Sequence, residues 1–167
     1  ENTALLEDGK TLRVYGEGQI TLLDGRDASW QKGPNGYTIR GLKLSIFSPG
    51  DRYDTAREVL NPASYLRLTW GSEYFNSEPQ SGGGIALPSG RLSRLLGENL
   101  VDNSGADRFA ALSFALSDAR RGLGVRYSFS ELDETRAYRG PDADGKLRYT
   151  MINVGLDIEP LRVTVDD

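Results

Sequence analysis

The dominant pattern in the chain is strict alternation of apolar and polar residues. Six segments show it, at residues 11–23, 37–48, 65–72, 125–129, 152–158 and 161–165. Successive side chains of a β-strand point to opposite faces of a sheet, so a period of two is typical of strands with one buried face. Gly16 and Gly18 interrupt the first segment and predict a bend or a close approach of another backbone. The pattern predicts a mainly β fold.

Turn residues between these segments favour antiparallel connections. Asp-Gly or Asn-Gly pairs occur at residues 8–9, 24–25, 35–36 and 144–145. These residue types tolerate the positive φ angles of tight hairpin turns. Pro160 is expected to separate the last two strands, because proline cannot donate a hydrogen bond to a central ladder.

The register of one hairpin follows from its apolar faces. Residues 125–138 are expected to pair with residues 147–158 around the turn at 142–145. A shift by one residue would turn the two apolar faces against each other. The faces match if Tyr127 lies opposite Ile158, a register that also places Phe129 opposite Leu156.

Two short segments have helical signals at their ends. Asp54 can cap a short helix over residues 54–60, because a side-chain oxygen at that position satisfies a free backbone N–H. Ser89 can cap another over residues 91–96, which Gly97 would end.

A longer helix is predicted over about residues 105–121. Ser104 and Asp107 have the spacing of a capping box, and apolar residues then recur at helical intervals. Gly122 suits the position after the last turn. The alternative is a strand in which Leu112, Phe114 and Leu116 share one face. Together these signals predict one β-rich domain over residues 1–167, an antiparallel sandwich or barrel with one substantial helix and one or two short helices.

Composition excludes several kinds of chemistry. The chain contains no histidine and no cysteine, which removes the usual zinc sites, disulfides, cysteine nucleophiles and serine–histidine–carboxylate triads. The formal net charge of −4 argues against a nucleic-acid partner. No run of about 18 apolar residues occurs, so no transmembrane helix is expected. Neither a metal nor a cofactor is predicted.

The remaining chemical motifs have simpler structural interpretations. Asp142 to Gly145 resembles the middle of a calcium loop, but the flanking ligand positions do not match and a hairpin turn explains the same residues. Carboxylates cluster at Asp51 with Asp54, and at residues 131–134. Both clusters are compatible with solvated strand ends or helix caps, so no catalytic residue is assigned.

Four aromatic residues are the candidate ligand-binding residues: Trp30, Tyr37, Tyr74 and Phe75. The first two flank a polar, glycine-containing loop, and exposed rings on a β face commonly bind sugars or apolar ligands. The alternative is that a second sheet or a helix covers such rings. Carbohydrate is therefore a possible ligand.

These observations predict a non-catalytic binding or assembly module that presents loops and β faces to a ligand or to copies of itself. Self-association or binding of another protein is expected, with the strand at residues 161–165 as a candidate edge. Export to the cell envelope or exterior is expected, since residue 1 is Glu and the single methionine is internal. The alternatives are a small eight-stranded outer-membrane barrel and a carboxylate-dependent hydrolase such as a glycosidase.

Overall fold

The computed structural model describes residues 2–63, 66–79, 90–116, 121–142 and 144–164. They form twelve β-strands and one α-helix, α1 (Arg91–Leu96), which continues as a π-helical turn (Gly97–Val101). The strands are β1 (Thr3–Asp8), β2 (Thr11–Gly16), β3 (Ile20–Asp24), β4 (Ser29–Gly33), β5 (Gly36–Phe47), β6 (Arg52–Asp54), β7 (Val59–Asn61), β8 (Leu66–Arg67), β9 (Arg108–Leu116), β10 (Arg121–Ser130), β11 (Arg136–Pro141) and β12 (Leu147–Thr164). The prediction of a mainly β, antiparallel fold is confirmed.

The strands form two sheets. The smaller has the order β1-β2-β6-β7. The larger has the order β3-β5-β12-β10-β9, with β4 paired to β5 and β11 paired to both β12 and β8. No ladder among the described strands joins β9 to β3 or β4, so the larger sheet stays open. Of the two predicted architectures, the chain therefore adopts the sandwich-like one and not the closed barrel.

Strand β12 is the centre of the larger sheet. One side of it pairs with β5, and the other side pairs first with β11 and then with β10. Tyr127 lies opposite Ile158 and Phe129 lies opposite Leu156, which confirms the register predicted for this part of the hairpin. The prediction of one continuous hairpin over residues 125–138 and 147–158 is wrong, because β11 pairs with β12 in a register shifted by three residues, with Arg136 opposite Ile152.

Apolar clusters cover both faces of β12 in its middle. On one face, Leu96 and Leu100 from α1 and the π-helical turn pack near Met151. On the other, Ile152 belongs to the cluster formed with Val14 and the rest of the smaller sheet. The segment therefore has few polar positions, as expected of a strand buried on both sides.

The first alternating segment divides between the two sheets. Strand β2 belongs to the smaller sheet and β3 to the larger one. Gly16 separates them with φ +108°, and a Cβ there would lie 1.7 Å from the carbonyl oxygen of Asn2. The prediction of a bend with close backbone approach is thus confirmed.

The predicted helix over residues 105–121 is wrong. Residues 108–116 form β9, which pairs with β10 from Arg108 opposite Ser130 to Leu116 opposite Gly122. Phe109 and Ala111 are buried, whereas Leu112 and Phe114 are exposed. Apolar residues occupy both faces of this strand. Because of this, apolar positions also recur every three or four residues, which is the spacing of a helix.

The other local predictions have mixed outcomes. The helix expected at residues 54–60 is wrong, because Asp54 caps a tight turn between β6 and β7 by accepting the N–H groups of Ala56 and Arg57. The helix over residues 91–96 is confirmed, but Gly97 does not end it, because the helix continues as the π-helical turn to Val101. Ser89 lies outside the described residues. Of the strand expected at 65–72, only β8 is formed.

Pro160 does not end a strand, contrary to the prediction. It lies within β12 opposite Val125, so the expected separate strand at residues 161–165 is, as far as it is described, the end of β12. The ladder with β5 ends at Ile158. Beyond that residue, the described strands pair with β12 on one side only, and the missing N–H of proline is tolerated there.

Asp51 joins the two sheets. It lies in the connection from β5 to β6 and is almost fully buried. Its Oδ2 accepts the N–H of Ser48 (2.7 Å), and its Oδ1 accepts the N–H of Ala63 (3.1 Å). The Thr150 hydroxyl, from β12, lies 2.6 Å from Oδ2. One carboxyl group thus holds three separate segments of the chain.

The contacts of Thr150 favour a protonated Asp51. The same hydroxyl oxygen also lies 2.7 Å from the carbonyl oxygen of Ile46. A hydroxyl has one hydrogen, so it can donate to one of these two oxygens, and the second contact needs a hydrogen on the carboxyl group. Burial also raises the pKa of Asp51, although its hydrogen bonds act in the opposite direction.

We expect Asp51→Asn to destabilise the protein by about 1–3 kcal/mol, because its NH2 group would face a backbone N–H. In the wild type, the raised pKa gives stability that is fully present below the ordinary value of 3.8 and declines as pH rises through the folded-state pKa. The loss of stability caused by Asp51→Asn should therefore become smaller as pH rises from 3.8 through the folded-state pKa of Asp51. Urea unfolding at several pH values measures it. Asp54→Asn, which can still cap its turn, is the control and should change stability by less than about 0.5 kcal/mol.

Gly97→Ala provides a test of the packing under the helix. The residue has helical φ and ψ angles, so alanine suits its backbone. A Cβ there would lie 2.2 Å from the Tyr149 ring. We expect overpacking to dominate and to lower the free energy of unfolding by about 1–3 kcal/mol. Gly33→Ala, which meets no such contact, should change it by less than about 0.5 kcal/mol. A stabilised Gly97→Ala protein in thermal unfolding would contradict this packing.

Candidate functional site

Two of the four predicted ligand-binding residues lie on one hairpin. Trp30 in β4 is opposite Ile39 in β5, and Tyr37 is opposite Lys32. Residues two apart on one strand share a face, as do residues directly opposite on paired strands, so the indole, the phenol and the Lys32 side chain lie on the same side of the hairpin. Trp30 is 71% exposed and Tyr37 is 57% exposed. This hairpin presents an aromatic surface to solvent.

The other two residues form a pair in the segment after β8. The rings of Tyr74 and Phe75 contact each other edge to face, with centroids 5.1 Å apart. Asp102 holds this segment, because its Oδ1 accepts the N–H of Tyr74 (2.8 Å) and its carbonyl accepts the N–H of Phe75 (2.9 Å). Tyr74 is exposed and Phe75 is half-buried.

The structure does not bring the two aromatic pairs together. Asp102, which holds the second pair, contacts the Tyr149 hydroxyl in β12. Gly36, at the tip of the first hairpin, lies near Pro160 in the same strand. Eleven residues of extended strand span about 36 Å at ~3.3 Å per residue. The four residues therefore belong to two separate surfaces.

A buried polar cluster underlies the second pair. Asp102 is fully buried and accepts hydrogen bonds from Arg139 (2.7 Å) and the Tyr149 hydroxyl (2.9 Å). Burial, together with the hydrogen bond to Asp102, raises the pKa of Tyr149 well above its usual value. A phenol held protonated in this way acts as a hydrogen-bond donor and not as a base. The cluster positions the segment that carries Tyr74 and Phe75.

The carboxylates that are neighbours in the sequence do not act together in the structure. Asp51 is buried between the sheets, whereas Asp54 faces outward and caps a turn. Glu134 forms an ion pair with Lys43 (3.0 Å). Burial of its carboxyl group, with Glu73 and Asp107 nearby, raises the pKa of Glu131.

Glu131 also lines a cleft that the sequence did not indicate. The cleft has a volume of about 330 Å³, and Trp70 and Glu73 are among its other lining residues. Asp133 does not line it. Glu73 reaches the cleft from a segment more than fifty residues away in the chain, so no local pattern connects it with Glu131.

The turn at residues 142–145 uses its first carboxylate internally. Asp142 Oδ1 accepts the N–H groups of Asp144 (2.9 Å) and Lys146 (2.8 Å). Within the described residues, no group of three or more Asp or Glu side chains is arranged to hold a metal ion. In the same part of the chain, no helix is long and apolar enough to cross a bilayer.

The edge of the larger sheet is a surface that the sequence reasoning missed. Strand β9 pairs with β10 on one side, and no described strand pairs with its other side. Residues 109–116 contain no charged residue, proline or glycine. Leu112 is 43% exposed and Phe114 is 55% exposed, on the same face of the strand. The apolar residues of this strand also fit a helical period, so the sequence did not indicate an edge strand here.

Comparison with known proteins adds no functional information. No protein-family model matches the chain, and neither the curated proteins nor the solved structures include a significant match.

The exposure of both tryptophans gives a direct test of these surfaces. The chain contains two tryptophans, and Trp30 and Trp70 are both largely exposed. We expect acrylamide to quench the native protein almost as strongly as the urea-unfolded protein, because neither indole is shielded. Trp30→Phe and Trp70→Phe proteins separate the two contributions. A strongly protected Trp30 would contradict the exposed hairpin surface.

Proposed function

We propose that the protein is a non-catalytic assembly module that pairs with a second copy of itself through β9. The observation that carries the proposal is the edge strand β9, which pairs with no described strand on one side, is uncharged over residues 109–116 and exposes Leu112 and Phe114. An unpaired edge of this kind is a template for another strand. Folded proteins usually protect such edges with charge, proline or a covering segment, and β9 has no charge between residues 109 and 116.

Strand β9 is suited to a copy of itself. In antiparallel pairing centred on Leu112, the two leucines face each other, and Phe114 faces Ala110 of the second copy. A large side chain then meets a small one. Arg108 faces Leu116, so no like charges are opposed along the pair. Each copy carries a net charge of −4, so two copies repel each other over the rest of their surfaces. This repulsion disfavours contacts between copies away from β9.

The pairing continues the larger sheet from one copy into the next. Its backbone hydrogen bonds add to an existing ladder, as in other cases of strand addition. The exposed apolar side chains of Leu112 and Phe114 gain neighbours on the same face. Binding of a different protein at this edge would leave the pure protein monomeric.

We expect the wild-type protein to be a dimer that dissociates on dilution. Leu112→Lys should weaken the dimer at least about tenfold, or about 1.4 kcal/mol, because two ammonium groups would face each other at the centre. Sedimentation velocity over a concentration series measures the dissociation constant.

Leu123→Lys is the matched control. Leu123 is 63% exposed and lies on β10, which is paired on both sides. The same charge there should leave the dimer unchanged. A wild-type monomer at all concentrations would refute the proposal, as would equal dissociation constants for Leu112→Lys and the wild type. Thermal unfolding verifies that both variants fold.

A further inference from the structure

Two arginines face each other on the outer side of the smaller sheet. Arg13 in β2 is directly opposite Arg52 in β6. Their sequence neighbours Val14 and Tyr53 lie in the apolar cluster between the sheets, so the arginines project to the other face. Like charges directly opposite on paired strands are unfavourable. Their juxtaposition therefore needs a physical reason.

Neither guanidinium has a partner within the described part of the chain. No ion pair or side-chain hydrogen bond involves Arg13 or Arg52 there, and the Arg13 Nε is buried without a hydrogen-bond partner. Asp54 is the acid two positions along β6 on the same face. Its carboxylate accepts two N–H groups of the turn that it caps, so it is engaged elsewhere. A buried N–H without an acceptor is a rare and costly feature.

The arginines line a cavity of about 380 Å³. Tyr15, Pro49 and Gly50 are also part of its wall. Among the described residues that line it, none is acidic. Another cavity of similar size, between β7 and β11, is lined by both acidic and basic side chains, among them Glu58 and Arg136. The charged side chains among the described lining of the first cavity are thus both positive, in a protein whose net charge is −4.

We propose that this cavity is a binding site for an oxyanion, a phosphoryl or carboxylate group carried by a small ligand. A guanidinium presents several N–H donors in a plane and pairs with such groups through two parallel hydrogen bonds. An anion between Arg13 and Arg52 offsets the repulsion between the two charges and accepts hydrogen bonds from the guanidinium groups. The Arg13 Nε is closed off from solvent in this structure, so it joins these hydrogen bonds only after the side chain turns toward the anion. Two arginines are too few for a nucleic-acid backbone, which requires an extended basic surface.

The wall of the site is built by the same connection that joins the sheets. Gly50 donates its N–H to the Val14 carbonyl (2.9 Å), and Asp51 fixes the backbone next to it. The site therefore has a rigid side and two arginine side chains, of which Arg52 is the more exposed. Its location on the smaller sheet makes it independent of β9 and of the proposed assembly.

The test is titration of the purified protein with inorganic phosphate and, separately, with acetate, at ionic strength held constant with sodium chloride. Calorimetry gives the affinity, and ¹H–¹⁵N spectra of the arginine Nε–Hε groups report on Arg13 itself. We expect saturable binding of at least one anion with a shift of the Arg13 signal. Arg52→Gln should weaken binding roughly tenfold to a hundredfold, since it removes one charged pair of hydrogen bonds.

Arg40→Gln is the matched control. Arg40 lies on the larger sheet and forms an ion pair with Asp157 (3.4 Å), so its removal should leave anion affinity unchanged. Preference for phosphate assigns a phosphoryl ligand, and preference for acetate assigns a carboxylate. Absence of saturable binding of both anions would overturn the proposal, as would an Arg52→Gln protein that binds as well as the wild type. Arg52 is exposed, so its replacement is not expected to impair folding.

Discussion

The arrangement of the two sheets depends on one buried carboxyl group. Asp51 accepts hydrogen bonds from Ser48, just after β5, and from Ala63, just after β7, and it contacts Thr150 in the central strand. A polar group at this depth is stabilising only while each of its atoms has a partner. The short connection from β5 to β6 can then cross from one sheet to the other in a fixed geometry. The position of β6, and with it that of Arg52, follows from this crossing.

Coverage of the larger sheet is uneven, and this explains where its exposed apolar surface lies. Around Met151 and Ile152, the helix covers one face and the smaller sheet covers the other. Neither cluster extends to the outer residues of β9, where Leu112 and Phe114 remain exposed. The middle of the larger sheet is therefore buried on both faces. At its β9 edge, apolar side chains remain exposed to solvent.

The sequence was sufficient for features that depend on local alternation. The hairpin register was predictable because a one-residue shift would reverse the faces of Phe129 and Leu156. It was insufficient for β9, where apolar residues on both faces satisfy two periods at once. It gave no signal for the pairing of Arg13 with Arg52, which depends on two strands distant in the chain. The role of Asp51 was equally hidden, since its partners come from three segments. Trp30 and Tyr37 were recognisable as candidates because they flank a polar loop, but neither their exposure nor their distance from Tyr74 was predictable.

Pro160 has a consequence for how large an assembly can grow. A subunit with two receptive edges adds copies head to tail and makes a filament, whereas a contact of one edge with itself closes after two. Beyond Ile158, the free side of β12 carries Pro160, which has no N–H to offer an incoming strand. The short strands β3 and β4 carry Asp24 and Lys32, charges that disfavour docking. In the proposed pairing through β9, these features of the larger sheet favour a closed, two-fold pair over a growing fibre.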